Sequence, residues 1–391
     1  MTERPVWWSP GEAQASAAGR ALNGRVLLFA KPRFARNMPH FLHSSRSGLG
    51  LCGPDAGQAA AKIRHDGYNG VLLADPAFYD KKAATEEEPF ELPRDQLFGA
   101  DLNTVLQDQI DRGATLAVAP SRFVHAGDVT AFKSLVLAAQ RIDRDDVVVP
   151  IPVDVAWLRD EFLGKLTAGM RRIPHLKGIV LGAQGNPTEK FAKATANLRT
   201  VMAEVPGLGL WRGDQPTAFD SIAYGASFAV IGAGGSLRHV VPPDEEAQSR
   251  RPYNHTPSVF IPEMLRYSMG EYIAQRYANQ RAPRCFCSVC QGRSLDYFNS
   301  RQKEVRESAQ AHNAQLWAEM LDDLFDHPAA IDRQRWWKAC CEAAVQAQLR
   351  ESQRIEQPGA FKPSTPLTKM AELPLHTEVA SPARNRQETA R

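Results

Sequence analysis

DVVVPIPVDVAWLRDEFLGKLTAGMRRIPHLKGIVLGAQG, residues 146–185, decides the fold. It opens on a run that is apolar on both faces, DVVVPIPVDV, passes through a helical stretch, VAWLRDEFLGKLTAGMRRI, and returns to a second apolar run, KGIVLGAQG. Strands buried on both faces read as continuous apolar runs, and parallel strands need a crossover that a helix supplies. The stretch is therefore one strand–helix–strand unit of a parallel sheet.

The same rhythm extends both ways. Upstream lie GRVLLFAKP (24–32), GVLLADP (70–76) and ATLAVAPSRF (114–123), and downstream GLGLWRGD (207–214) and SFAVIGAGG (227–235). Between them fall the helical stretches AGQAAAKIRHDG, DLNTVLQDQIDRG, VTAFKSLVLAAQRI, TEKFAKATANLRTVMAEV and TAFDSIAYG. No G-x-G-x-x-G opens the first helix, so a dinucleotide crevice has no support. The number of units favours an α/β fold of the closed (β/α)8, or TIM barrel, kind with an appendage. The expected organisation is a loose lead-in over 1–22, a barrel over 23–262, a zinc-binding helical subdomain over 263–355, and a disordered Pro-rich tail over 356–391. Trp7 and Trp8 are expected to pack on the body, and residues 240–262, rich in Pro and charge, to form a long loop.

The 391 residues carry 47 Lys+Arg against 44 Asp+Glu, a net +3, so any nucleic-acid surface has to be local. No apolar run approaches the roughly 18 residues of a membrane span. MTERPVWWSPGEAQ has no apolar core of a signal peptide, which makes the cytoplasm the expected compartment. There disulfides are rare, and clustered cysteines bind metal more often than they pair. Cys52, Cys340 and Cys341 read as ordinary buried or half-buried thiols. Cys285, Cys287 and Cys290 form C-x-C-x2-C, and His312 follows in a strongly helical segment after 21 intervening residues. Three thiolates and an imidazole make a complete tetrahedral set for Zn2+, and four ligands leave no open position, so the ion would be structural.

Cys285, Cys287 and Cys290, followed by Ser294 and Tyr297 and then by His312 and Asn313, resemble the zinc segment of the tRNA-guanine transglycosylase superfamily. The stretch GLGLWRGDQPTAFDSIAYGASFAVIGAGGSLRH also resembles the segment that precedes that family's nucleophile. The resemblance implies a (β/α)8 barrel with the zinc subdomain near its end. It implies exchange of a guanine in tRNA or DNA for a 7-deazaguanine, a glycosyltransferase (pentosyltransferase) reaction in which an aspartate attacks C1′ and a second aspartate serves as acid and base. It also implies a homodimer or a partner subunit, since some relatives keep the zinc and have lost catalysis.

The chain departs from that pattern at the centre of the chemistry. Val230 falls where the nucleophilic aspartate belongs, and a valine has no nucleophilic atom. Ser121 and Arg122 stand where a base-recognising aspartate is sought. Other candidates lie at strand C-terminal ends, where barrel chemistry sits: Asp75 and Asp214 as catalytic carboxylates, and Asp154, Gln184, Arg212, Arg238 and His239 as substrate-binding groups. Each carboxylate also suits a plain helix cap or turn. Around the zinc motif, Arg281, Arg284, Arg293, Arg301, Lys303 and Arg306 face only Asp296 and Glu304, a strip that attracts phosphate backbones or forms a solvated basic face. Three readings follow: an active transglycosylase-like enzyme, an inactive relative that binds nucleic acid or supports a partner, and an unrelated barrel hydrolase or lyase with a convergent zinc knob.

Overall fold

Eight short apolar runs become the strands of one parallel sheet in a computed structural model of the chain, which describes residues 15–42, 45–93, 101–246 and 255–376. They are β1 (Arg25–Ala30), β2 (Ser47–Cys52), β3 (Leu72–Asp75), β4 (Ala117–Val118), β5 (Val147–Asp154), β6 (Leu176–Gly182), β7 (Leu208–Gly213) and β8 (Phe228–Gly232). Their spatial order is β3-β2-β1-β8-β7-β6-β5-β4, and a single parallel bridge from Leu73 to Leu116 joins the two ends into a nearly closed barrel. The expected α/β barrel with a helical C-terminal region is the observed fold.

Side chains fill the barrel, as its small diameter requires. Leu27, Phe29, Val118, Val180, Trp211 and Val230 belong to this interior cluster. Phe29 and Trp211 meet edge to face, with centroids 5.3 Å apart. β2 is the strand that the sequence reading overlooked. Its SGLGLC carries two glycines, which dilute the apolar signal. A Cβ on Gly50 would overlap the Phe29 ring of the neighbouring strand, so the glycine is what makes room for the aromatic. ATLAVAPSRF supplies only two residues of regular strand, and beyond them Phe123 and Val124 make isolated bridges to Ala83 and Val153.

Crossover helices cover the outside: α2 (Ala56–His65), α3 (Leu102–Asp111), α4 (Val129–Gln140), α5 (Asp160–Arg171), α6 (Ala194–Glu204) and α7 (Gln215–Ala223). They follow α1 (Ala17–Leu22), which lies in the expected lead-in but is ordered. Ser16 caps it through Oγ to the Gly19 N–H at 2.9 Å, and Ala18 and Leu22 join the interior cluster, so α1 closes one end of the barrel. Trp7 and Trp8 lie outside the described residues, as do residues 247–254 of the expected long loop.

Beyond β8 come a hairpin of β9 (Ser258–Ile261) and β10 (Arg266–Met269), α8 (Gly270–Arg276), and a ribbon of β11 (Arg284–Cys285) with β12 (Arg293–Ser294). Two long helices follow, α9 (Lys303–Phe325) and α10 (Ala330–Arg354). α9 lies beside the β1–β2 connection, which has only single turns of its own. Glu307 accepts from Asn37 Nδ2 at 2.7 Å, and Arg46 lies 4.3 Å over the Phe325 ring. α10 packs on α7, where the Trp337 indole N–H donates to Asp220 at 2.9 Å and Asp220 pairs with Arg199 at 2.6 Å. The region expected as a disordered tail contains a further helix, α11 (Thr365–Glu372). Ser364 caps it, and its Leu367 and Met370 are buried. The chain from 377 onward lies outside the described residues.

Candidate metal centre and barrel mouth

The knuckle is built by local backbone geometry. Gln291 and Gly292 adopt positive φ, which turns the chain so that the Gly292 N–H donates to the Cys285 carbonyl at 2.8 Å. The Cys290 N–H in turn donates to Cys287 Sγ at 3.4 Å, the arrangement that aims both sulfurs of a C-x2-C at one point. α9 brings in His312, 0% exposed, whose Nδ1 stands 3.5, 3.6 and 3.3 Å from the sulfurs of Cys285, Cys287 and Cys290. All four donor atoms lie within 4.8 Å of one another.

These spacings fit an ion. A tetrahedral metal with bonds of about 2.3 Å to sulfur and about 2.0 Å to nitrogen needs sulfur–nitrogen edges of roughly 3.5 Å. The far side of the imidazole fits as well: His312 Nε2 lies 2.8 Å from the Phe260 carbonyl oxygen, so it carries the proton and Nδ1 is left with a lone pair for the metal. Burial opposes a charge on this ring, but hydrogen bonds with Cys285 and Cys287 outweigh it and push it up to about 9. The Cys285 thiol is held far below the ordinary range, first by its hydrogen bond with Cys290, while the same contact pushes Cys290 up. Three crowded thiols cannot all ionise without a cation between them. The next residue completes the clamp. Asn313 Oδ1 accepts from the Phe260 N–H at 2.7 Å, and its Nδ2 donates to the Ser258 carbonyl at 3.0 Å. His312 and Asn313 thus pin β9 to α9 while His312 also closes the knuckle. The Cys3His cluster can hold a metal ion.

The mouth of the barrel is arranged differently. Asp75, at the end of β3, is 1% exposed and fully engaged. It accepts from the Ala77 N–H at 2.7 Å, the Tyr79 hydroxyl at 2.5 Å and the Trp211 indole at 2.9 Å. Burial raises its carboxyl above the ordinary value, against the pull of those hydrogen bonds. Arg212 lies across the opening. It sits at an irregularity of β7 with φ +62°, is 4% exposed, and donates to Asp80 at 2.5 Å and to the carbonyls of Ser236 and His239 at 2.9 and 3.2 Å. One side chain thereby ties the loops after β3 and β8 to β7. Val230, paired with Leu27, is sealed inside the barrel. Arg122 is held by Glu88 and Glu91, each at 2.5 Å, and Ser121 is buried.

The remaining candidates divide into two groups. Asp214 caps α7 through the Thr217 N–H at 2.9 Å and lines a cavity of about 370 Å³ together with Arg212, Arg238 and His239. Asp154 and Gln184 are not part of that lining. Asp154 caps the turn at Ala156 at 2.7 Å, and Gln184 donates to Glu245 at 2.9 Å. Two cavity residues, Arg266 and Lys362, escaped the sequence reading because nothing local marks them: one follows the turn of the β9–β10 hairpin and the other precedes α11. Of the basic strip, Arg281, Arg284, Arg293, Arg301 and Lys303 are exposed. Arg306 is half-buried and donates to the His255 carbonyl at 2.7 Å. Phe286, at the tip of the knuckle among these cations, is 80% exposed. No helix among the described residues is long and apolar enough to cross a membrane.

No family model matches this chain, and no curated protein matches it.

Proposed function

We propose that this chain is a zinc-stabilised barrel protein of the tRNA-guanine transglycosylase type that binds nucleic acid without exchanging a base by carboxylate attack, alone or as a partner subunit. One observation carries the reading: the two positions that such chemistry would use are a sealed valine, Val230, and a sealed carboxylate, Asp75, whose oxygens already accept three hydrogen bonds. A nucleophile has to reach the anomeric carbon, and neither side chain reaches solvent.

Zinc is the ion that suits the cluster, since three thiolates with one imidazole and tetrahedral edges are its usual structural set. Free thiols held for a metal also suit a reducing compartment such as the cytoplasm. The exposed cations around the knuckle supply phosphate contacts, and Phe286 supplies a face on which a base can stack. Mobility-shift titration of tRNA and of duplex DNA at two salt concentrations tests the reading. Binding that weakens steeply with salt and is reduced by Arg284→Ala with Arg293→Ala is expected, with no covalent adduct and no incorporation of labelled guanine or 7-deazaguanine.

A second reading is favoured by one fact, the position of Asp214 in a cavity of about 370 Å³. Base exchange or another glycosyl transfer could run from that carboxylate. Incorporation of label that Asp214→Asn abolishes, with Asp75→Asn still active, would establish it over the first.

A further inference from the structure

The cavity beside the barrel mouth carries more positive charge than its walls neutralise. It is bounded by the ends of β6 and β7, the loop after β8, the β9–β10 hairpin and the segment leading into α11. Four permanent cations line it: Arg212, Arg238, Arg266 and Lys362. Arg212 is accounted for by Asp80. Among the described residues, the only carboxylate in the lining is Asp214, and it is already committed to the cap of α7. Among the described residues, Arg238, Arg266 and Lys362 form no ion pair.

Each arginine is nevertheless held in place. Arg238 donates Nε to the Gly232 carbonyl at 3.1 Å and stacks 3.6 Å over the Tyr267 ring, and its Nη2 is buried without a partner. Arg266 donates to Gln348 Oε1 at 3.2 Å and lies 5.4 Å from the centre of the Phe361 ring, and its Nε is likewise buried without a partner. Burial pulls the Arg266 guanidinium below its ordinary value, because no anion compensates it. Keeping cations half-buried and unpaired costs stability unless a counter-charge arrives. Leu181, Leu210, Leu265 and Met370 supply an apolar part of the wall, beside neutral polar groups such as Asn186, Thr188 and Ser364.

We infer that this cavity binds a small phosphate monoester with an apolar or aromatic body, the phosphate resting between Arg238, Arg266 and Lys362. A phosphate monoester carries about −1.5 to −2 near neutral pH, a closer match to three cations than a single carboxylate offers. Planar guanidinium groups meet its oxygens in pairs, and a lysine meets them as a point charge. The inference stands on the charges of the cavity and does not depend on the transglycosylase reading or on the metal.

Calorimetric titration of the full-length, metal-loaded protein tests it, with guanosine 5′-monophosphate, guanosine and inorganic phosphate as probes at matched ionic strength. The monophosphate is expected to bind at least about tenfold more tightly than guanosine, the effect of a few charge-assisted hydrogen bonds. Inorganic phosphate is expected to bind more weakly than the monophosphate. Lys362→Ala removes an exposed side chain that forms no ion pair among the described residues, so the fold is preserved; it is expected to weaken the monophosphate about tenfold and leave the melting temperature of the free protein unchanged. Arg238→Gln is expected to weaken it further. Equal affinity for monophosphate and guanosine, undiminished affinity in Lys362→Ala, or no binding of any phosphate at millimolar concentration overturns the inference.

Discussion

At the Cys285 knuckle four donor atoms face one point, and nothing in the protein itself satisfies them together; at the end of β3 a carboxylate is surrounded by three donors and needs nothing more. The first arrangement asks for a cation. The second resembles a site by position, because strand ends in barrels are where chemistry is usually found, yet its hydrogen bonds turn inward. A polar residue at a strand end is thus a site only when its partners leave an atom unspent. By that criterion Asp75 is a brace of the mouth, whereas Cys285, Cys287, Cys290 and His312 form a group that can hold a cation.

Substitutions separate these two kinds of polar cluster. The largest effect is expected at the knuckle. Cys290→Ser should abolish stoichiometric zinc, read by metal analysis, and cost about 4–5 kcal/mol or more in denaturant unfolding, the range of losses of a structural metal. Because His312 and Asn313 also hold β9, the loss should appear as early proteolysis across the 255–300 region. If Cys290→Ser melts like the unaltered protein, the knuckle is no more than a group of thiols.

Asp75→Asn should cost about 1–3 kcal/mol, because an amide offers one acceptor where two oxygens now serve three donors, and it buries an unmatched N–H2. It should change no binding of nucleic acid. A loss of binding with stability intact would return Asp75 to the list of functional residues and erase the contrast.

A pH-dependent effect, small at neutral pH, comes from a buried cation that the barrel tolerates without a partner charge. Lys177 on β6 donates to the Pro206 carbonyl at 2.9 Å and has no ion pair among the described residues, and burial pulls its ammonium down from 10.5 to about 7. Above pH 7 the folded protein has released this proton while the unfolded chain still holds it. Folding stability linked to Lys177 therefore rises with pH between about 7 and 10.5, by at most about 1.4 kcal/mol per pH unit. Lys177→Met should flatten that slope in urea unfolding measured across the range. The smallest effect is expected at Phe286, whose exposed ring should leave stability within about 0.5 kcal/mol when replaced by Ala. A large destabilisation would mean that the ring packs in the knuckle and is not held out for a partner.

Much of the fold was readable because it rests on local composition. Parallel strands buried on both faces must be apolar along their whole length, and the segment at 146–185 shows this without any partner in view. β2 was not readable, because its glycines have meaning only beside Phe29, a residue of another strand. α1 and α11 were misjudged for a related reason: short helices in Ala-, Ser- and Pro-rich segments have little stability of their own and form where the barrel end and the α10 surface bury Leu22 and Leu367. The metal centre was readable since three ligands are six residues apart or fewer and the fourth lies on a helix whose pattern is strong.

What the sequence determined by itself was the parallel strand rhythm, the four side chains that can hold a metal and the absence of a carboxylate at Val230, all properties of residue type and short-range spacing. Tertiary structure alone decided that Asp75 is spent on Tyr79 and Trp211, that Arg212 bars the mouth, and that Arg238, Arg266 and Lys362 surround one cavity without an acid between them. The reason is physical: whether a polar group is available depends on which donors and acceptors lie within about 3 Å of it, and those come from strands and helices far away along the chain.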